Sequence, residues 1–180
     1  MEILRNENQT KMIDIQTVKE YITKIQNTKK DNILSEELLN FTLRLMKDFD
    51  EKDTRKIDSN LLVQEYLYLT IFFHKYAEKM YHNGISAEFS TTILNNNYNP
   101  VDKKVHYAVS DMTVFKTPSI WNFFVVMHEN RHALQDSFYQ MSMEDILKLE
   151  PLAILMLKEQ FVLMSEPNLY RNNHSSFVIE

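Results

Sequence analysis

The segment Thr117–Asp136, TPSIWNFFVVMHENRHALQD, decides how the rest of the chain is interpreted. Thr117 followed by Pro118 is typical of a helix N-cap with proline at the first helical position. The apolar residues after Pro118 recur at helical spacing, and this pattern predicts one helix that runs to about Gln140. The same pattern continues into the sequence His128-Glu129-Asn130-Arg131-His132. We therefore expect this H-E-x-x-H sequence to lie on a helix with a buried approach.

Helical spacing gives the H-E-x-x-H sequence a chemical meaning. His128 and His132 are four residues apart, so both imidazoles project from one face and can reach a single zinc ion at about 2.0–2.1 Å. Glu129 is rotated from the two histidines toward a water molecule on the metal. A chance match is expected only about 0.02 times in a chain of this length and composition. The spacing therefore indicates a metal site on His128 and His132.

Composition limits the other kinds of chemistry. The chain has 180 residues, of which 44% are hydrophobic and 25% charged, as in a globular protein, and we expect residues 1–180 to form a single domain. It has no Cys, which excludes disulfides, thiolate metal sites and cysteine nucleophiles. The six His and the carboxylates are therefore the residues from which a metal or acid–base site can be built.

Charge and hydropathy patterning indicate the compartment and exclude two kinds of partner. A formal net charge of -5 argues against nucleic acid or an anionic membrane as the main partner. No apolar stretch reaches the roughly 18 residues of a membrane span, and the N-terminus does not resemble a secretory signal. We therefore expect a cytoplasmic protein. Because Ser176–Glu180 has the composition of the start of an apolar element, we keep open that the natural chain continues past Glu180.

Three helices are predicted before the H-E-x-x-H helix. The first follows Thr17, and the second is opened by Ser35 with an acidic first turn. The third extends from the cap Asp58-Ser59 to Met80 and is stopped at Gly84, which suits a left-handed helix end. Its apolar residues occur on almost all sides, so we expect it to be central. We predict packing, and no chemistry, for all three.

The middle of the chain favours strands, and its last part a further helix. Residues 85–93 and 105–109 are rich in strand-forming residues, and the polar cluster 95–100 between them predicts a turn. We interpret these as two strands. A hairpin with a long loop is one way in which they can be connected. A further helix begins at Ser142, where Asp145 replaces the usual Glu or Gln of a capping box, and continues to Met164. The fold class is therefore α+β and predominantly helical.

The residues from His128 to Gln135 resemble the active-site helix of the zincin-like zinc metallopeptidases. The likeness is to the variety in which the second His is followed, after two further residues, by Gln, here Gln135. The resemblance implies a zincin-like fold, Zn²⁺ on His128 and His132, and Glu129 as general base. It also implies a zinc-dependent peptidase that hydrolyses peptide bonds of a peptide or protein substrate through a metal-activated water.

The third zinc ligand stays open among several residues. Catalytic zinc has three protein ligands, and in the zincins that use Glu the third comes from a later helix. The candidates are Glu150, Glu159, Glu166 and Glu180, with His174 as an outsider. We favour Glu180, because the run from Tyr170 to Glu180 resembles the third-ligand segment of some H-E-x-x-H-x-x-Q proteins. Glu159 is the second choice.

Supporting roles are expected for a few further residues. Tyr170, His174 and His106 are candidates to stabilise the oxyanion, although each is more often a structural or surface residue. The strand 105–109 is a candidate edge strand on which an extended peptide docks. Arg131 and Asp136 either form ion pairs that fix a histidine tautomer or make plain salt bridges.

Two other functions compete with the peptidase. Glu129-x-x-His132 is also the E-x-x-H pair of di-iron helical bundles, but such a site needs a second pair. The residues three before His74, His82, His106 and His174 are Ile71, Lys79, Lys103 and Arg171, so none of them supplies it. The remaining alternative is a non-catalytic helical interaction or regulatory protein on a zincin-like scaffold. An intact Glu129 favours the enzyme, and the uncertain third ligand favours the alternative.

Overall fold

The computed structural model describes residues 13–81, 84–109, 117–138 and 140–148. These ranges form an α+β structure that is mostly helical and has one three-stranded sheet, which confirms the predicted fold class at this level. Two short 3₁₀ turns, Lys30–Asn32 and Thr54–Lys56, precede the second and third helices. The helices are α1 (Ile15–Asn27), α2 (Glu36–Asp50), α3 (Ser59–Tyr81), α4 (Ser119–Phe138) and α5 (Met143–Leu147), and the strands are β1 (Ser86–Ser90), β2 (Asn97–Asn99) and β3 (Lys104–Ala108).

Local side chains begin the first three helices. Asp14 Oδ1 accepts a hydrogen bond from Thr17 N at 2.7 Å, so α1 begins slightly before the residue that the sequence indicated. Ser35 caps α2 and Asp58 caps α3, both as predicted. Each side-chain oxygen accepts from an N–H group of the first turn, which has no partner within its own helix. Gly84 has φ +59, the left-handed conformation expected of it.

Helix α3 is the central element, as its apolar pattern predicted. It packs against both α1 and α4. Phe72 and Phe73 on α3 are fully buried, and their rings contact Phe41 of α2 at 5.4 Å and Phe123 of α4 at 5.1 Å between centroids. Complete burial of one such side chain stabilises the fold by about 1.5–3 kcal/mol. Apolar packing on α3 therefore sets where α4 lies.

The sheet has a topology that the sequence did not predict. Strand β1 pairs with β3 in parallel, β2 pairs with β3 antiparallel, and the strand order is β1-β3-β2. The hairpin expected between the two predicted strands is therefore wrong, because a hairpin requires antiparallel neighbours. The segment between them turns back as β2 and pairs on the far side of β3. The expectation that residues 105–109 form an edge strand is also wrong, because β3 is the middle strand.

The polar cluster at residues 95–100 combines turn and strand. The sequence predicted only a turn, yet this segment contains β2. Asn96 Oδ1 accepts from Ala108 N at 2.8 Å and so extends the contact with the end of β3. Asn99 Oδ1 accepts from Val101 N at 3.0 Å and begins the turn toward β3. Asparagine side chains therefore support both the strand and its turn.

A residue from a distant helix caps α4. Asp50, at the end of α2, accepts from Ser119 N at 2.8 Å and from Ser119 Oγ at 2.7 Å. The helix begins at Ser119, so Pro118 and not the predicted Thr117 directly precedes it, and the acceptor for its first N–H group is a carboxylate from another helix. Its negative charge also lies favourably at the positive end of the helix dipole.

The last described helix confirms the unusual capping box. Ser142 Oγ accepts from Asp145 N at 3.1 Å and donates to Asp145 Oδ2 at 2.7 Å. The predicted continuation of this helix to Met164 lies outside the described residues. Within the described part of the chain, no helix is both long and apolar enough to cross a membrane.

Replacing Asp50 tests the long-range cap. Asp50→Ala should lower the free energy of unfolding by about 1 kcal/mol, because Ser119 N loses its acceptor. Urea denaturation of wild type and variant would measure this difference. Glu51→Ala is the matched control, since Glu51 is adjacent and its ion pair with Lys47, at 3.7 Å, is exposed. Equal destabilisation by the two substitutions would contradict the assigned cap.

Candidate metal centre

The two histidines of H-E-x-x-H converge on one point beside α4. His128 Nε2 and His132 Nε2 are 3.0 Å apart, and the two rings are nearly perpendicular, with an interplanar angle of 85°. Two nitrogens bound at about 2.0–2.1 Å to one tetrahedral ion are about 3.3 Å apart. The observed separation differs from this value by only a few tenths of an ångström. A small rotation of the rings would therefore let both nitrogens bind one zinc ion.

Gln135 supports the second histidine from the same helix. Its Oε1 lies 3.0 Å from His132 Nδ1, and its side chain is almost completely buried. An amide oxygen only accepts hydrogen bonds, so His132 Nδ1 carries the hydrogen. His132 Nε2 then has a lone pair, which is the state that a metal ligand needs.

Glu129 joins α4 to the edge strand β2. Its Oε2 accepts from Tyr98 N at 2.8 Å, and the residue is 8% exposed. The backbone of β2 therefore holds the Glu129 carboxylate in a defined orientation on α4.

Tyr98 makes a second connection to α4 through its side chain. Its hydroxyl donates to Asp136 Oδ2 at 2.8 Å, and Lys103 forms an ion pair with the same oxygen. Burial and the hydrogen bond to Asp136 raise the pKa of the Tyr98 hydroxyl. Burial would raise the pKa of Asp136, but the hydrogen bonds from Lys103 and Tyr98 outweigh it and hold this pKa below its usual value. Asp136 is therefore an anion that fixes β2 and its turn to α4.

A buried polar network lies behind Glu129. Asn130 Nδ2 donates to Val126 O at 2.9 Å and to Tyr107 Oη at 3.1 Å, and it also lies 3.2 Å from His74 Nδ1. Tyr107 Oη is 2.9 Å from His74 Nδ1, and His74 Nε2 is 2.9 Å from the carbonyl of Ile85. A carbonyl only accepts, so His74 donates from Nε2 and accepts from Tyr107 at Nδ1. The network therefore connects α3, the entry to β1, β3 and α4.

His106 is not part of this centre. Its Nε2 lies 2.8 Å from Asp102 Oδ2. Successive residues of a strand point to opposite faces of the sheet, and the next residue, Tyr107, contacts Asn130 on α4. His106 therefore points away from α4, and its expected role at the oxyanion is not supported.

Of the predicted supporting pair, Asp136 forms a plain ion pair with Lys103. The hydrogen bond that fixes the tautomer of His132 is accepted by Gln135 Oε1. Arg131 is half-buried on α4.

The candidates for the third ligand lie outside the described residues. They are Glu150, Glu159, Glu166, Glu180 and His174, and Tyr170 also lies there. In the described ranges, no three His, Asp or Glu side chains form a group that could hold a metal ion. The structure therefore brings His128 and His132 together, bonds Glu129 to the backbone of β2, and leaves Glu180 a prediction.

Sequence reasoning missed Tyr98, Tyr107 and Asn130 as supports of the centre. A signal existed only for Asn130. It lies four residues after Val126, on the stripe that α4 buries, and a polar residue on such a stripe indicates a buried hydrogen bond. Tyr98 had no comparable signal, because its main contact with Glu129 uses a backbone N–H group that every residue except proline has.

Comparisons with protein family models, curated proteins and solved structures found no match to this chain.

The buried histidine of the network makes the stability of the fold depend on pH. Burial lowers the pKa of His74, Lys75 adds to this effect, and the Ile85 carbonyl and Glu78 oppose it. In the unfolded chain a histidine has a pKa of about 6.5. As the pH falls below that value, the unfolded state takes up the proton first, so the stability that neutral His74 contributes is progressively lost.

We expect the free energy of unfolding to fall between about pH 7 and pH 5, with His74 contributing up to about 1.4 kcal/mol per pH unit. Denaturant titrations across this range would measure the slope. His74→Gln should show a shallower slope, since the other five histidines are common to both proteins. Parallel profiles for the two proteins would contradict the assignment to His74.

Proposed function

We propose that this chain is a zinc-dependent peptidase of the zincin-like kind, with zinc on His128, His132 and Glu180 and with Glu129 as general base. The observation that carries the proposal is the 3.0 Å separation of the two Nε2 atoms on one face of α4. The Gln135 bond, which leaves His132 Nε2 as an electron-pair donor, supports the same site.

The order of elements also supports a zincin-like fold. Three helices precede a small mixed sheet, then come the H-E-x-x-H helix and a further helix. This is the arrangement that the resemblance implied.

Glu129 and its surroundings suit proton transfer. When bound, zinc would act as a Lewis acid toward a peptide carbonyl and lower the pKa of water to near 7. Glu129 would accept a proton from the attacking water and then pass it to the leaving amine. The hydrogen bond from Tyr98 N would keep the carboxylate in place during both transfers.

One observation favours the alternative of a non-catalytic interaction or regulatory protein. Glu129 has a structural contact, because its bond to Tyr98 N joins α4 to β2. A residue that serves the fold in this way does not need to serve as a base. Zinc binding alone would not separate the two functions, so the tests below measure metal binding and hydrolysis independently.

Metal analysis tests the ligands. The full chain should bind about one zinc ion, and His128→Ala should abolish binding because one of three protein ligands is lost. His106→Ala is the matched control, since His106 bonds Asp102 and points away from α4. Glu180→Gln should weaken binding, whereas Glu159→Gln should not. Full zinc retention by the His128 variant would overturn the site.

Replacement of the general base tests the reaction. Glu129→Gln retains an amide oxygen that can accept from Tyr98 N, so it should preserve the fold and zinc binding while it removes the base. Hydrolysis of a library of unstructured peptides, followed by mass spectrometry of new termini, should fall by about 100-fold or more. Unchanged hydrolysis in this variant would rule out the base. If the zinc-loaded wild type produces no new termini, the non-catalytic alternative is favoured.

A further inference from the structure

The two histidines of the candidate metal centre are not equivalent in the metal-free protein. Each neutral imidazole carries one hydrogen, on either Nδ1 or Nε2, and only the nitrogen without a hydrogen can bind a metal. Two hydrogen bonds, one between the rings of His128 and His132 and one between His132 and Gln135, indicate which nitrogen of each pair carries the hydrogen.

The tautomer of His132 follows from Gln135. The acceptor Oε1 lies 3.0 Å from His132 Nδ1, so the hydrogen is on Nδ1 and the lone pair is on Nε2. Gln135 is three residues after His132 on the same helix, so the helix backbone maintains the distance between them. The Gln135 side chain is 4% exposed, so water does not compete freely for Oε1.

The tautomer of His128 then follows from His132. The two Nε2 atoms are 3.0 Å apart, which is a hydrogen-bond distance and requires a hydrogen on one of them. Because His132 Nε2 has none, His128 Nε2 is the donor. Its hydrogen therefore lies between the two atoms that would bind zinc.

We infer that Gln135 is a positioning residue that presets His132 as a metal ligand, and that His128 is the ligand whose tautomer changes when metal binds. On binding, the proton of His128 leaves Nε2 and an equivalent proton is taken up at Nδ1 through solvent. The ring is neutral before and after, so this change releases no net proton. The inference rests on the proposed zinc site for its functional meaning, but the tautomers of the metal-free chain are testable without it.

Nitrogen NMR of the full chain, labelled at histidine, tests both assignments. Two-bond ¹H–¹⁵N spectra at about pH 8, where the imidazoles are neutral, distinguish a nitrogen that carries hydrogen from one that does not. His128→Ala and His132→Ala identify the signals. We expect Nδ1–H for His132 and Nε2–H for His128 without metal, and Nδ1–H for both after one equivalent of zinc, which is diamagnetic.

Two substitutions at Gln135 separate positioning from packing. Gln135→Leu has a similar volume but no acceptor, so His132 should populate both tautomers and zinc affinity should fall by about 10–100-fold. Gln135→Glu retains an acceptor and should preserve the His132 tautomer and most of the affinity. Competition with a chromogenic zinc chelator would measure affinity, and thermal unfolding of the metal-free variants would verify that they fold.

The outcomes distinguish failure of this inference from failure of the proposed function. An Nε2–H tautomer for His132 in the metal-free chain would overturn the inference, as would equal zinc affinity in wild type and Gln135→Leu. Either result would leave a zinc site on His128 and His132 intact. Conversely, a chain with the expected tautomers that binds no zinc would confirm the hydrogen-bond assignment and overturn the proposed metal centre.

Discussion

The amide of Asn130 lies completely buried where α3, β3 and α4 meet, and its hydrogen bonds constrain all three elements. A buried polar group without a partner costs about 1–3 kcal/mol. One amide hydrogen bonds Val126 O within α4, and the other bonds Tyr107 Oη of β3, whose hydroxyl in turn donates to His74 of α3. Because apolar contacts are not directional, the rings around Phe73 alone would tolerate small shifts of α4. The polar network restricts those shifts and so determines the position of the neighbouring Glu129.

The residues of the H-E-x-x-H sequence make two different sets of contacts from two sides of one helix. Its first and last residues, His128 and His132, are half-buried and converge at their Nε2 atoms. Its second and third residues, Glu129 and Asn130, are buried and bond to the sheet. The candidate base, Glu129, is therefore hydrogen-bonded to β2. The two candidate ligands contact each other, and His132 is also hydrogen-bonded to Gln135. A displacement of the sheet would move Glu129 relative to the histidines.

Much of the helical structure was predictable because its signals are local. Ser35 and Asp58 each bond to an N–H group two or three residues later, and the Ser142–Asp145 box spans four residues. The order of strands was not predictable from alternation of side chains. Alternation identifies a strand but not its neighbours, since pairing partners depend on how the connecting segment crosses the sheet. The polar cluster that contains β2 was therefore interpreted as a turn.

The sequence by itself determined that His128 and His132 share a face and that Gln135 lies close to His132, because positions three and four residues apart are neighbours on any helix. Only the tertiary structure decided what Glu129, Ser119 and Asn130 contact. Their partners are Tyr98, Asp50 and Tyr107, which are 31, 69 and 23 residues away. Such contacts depend on the packing of α4 against α2, α3 and the sheet. No periodicity within a single segment carries that information, because the distances arise only when separate elements share one core.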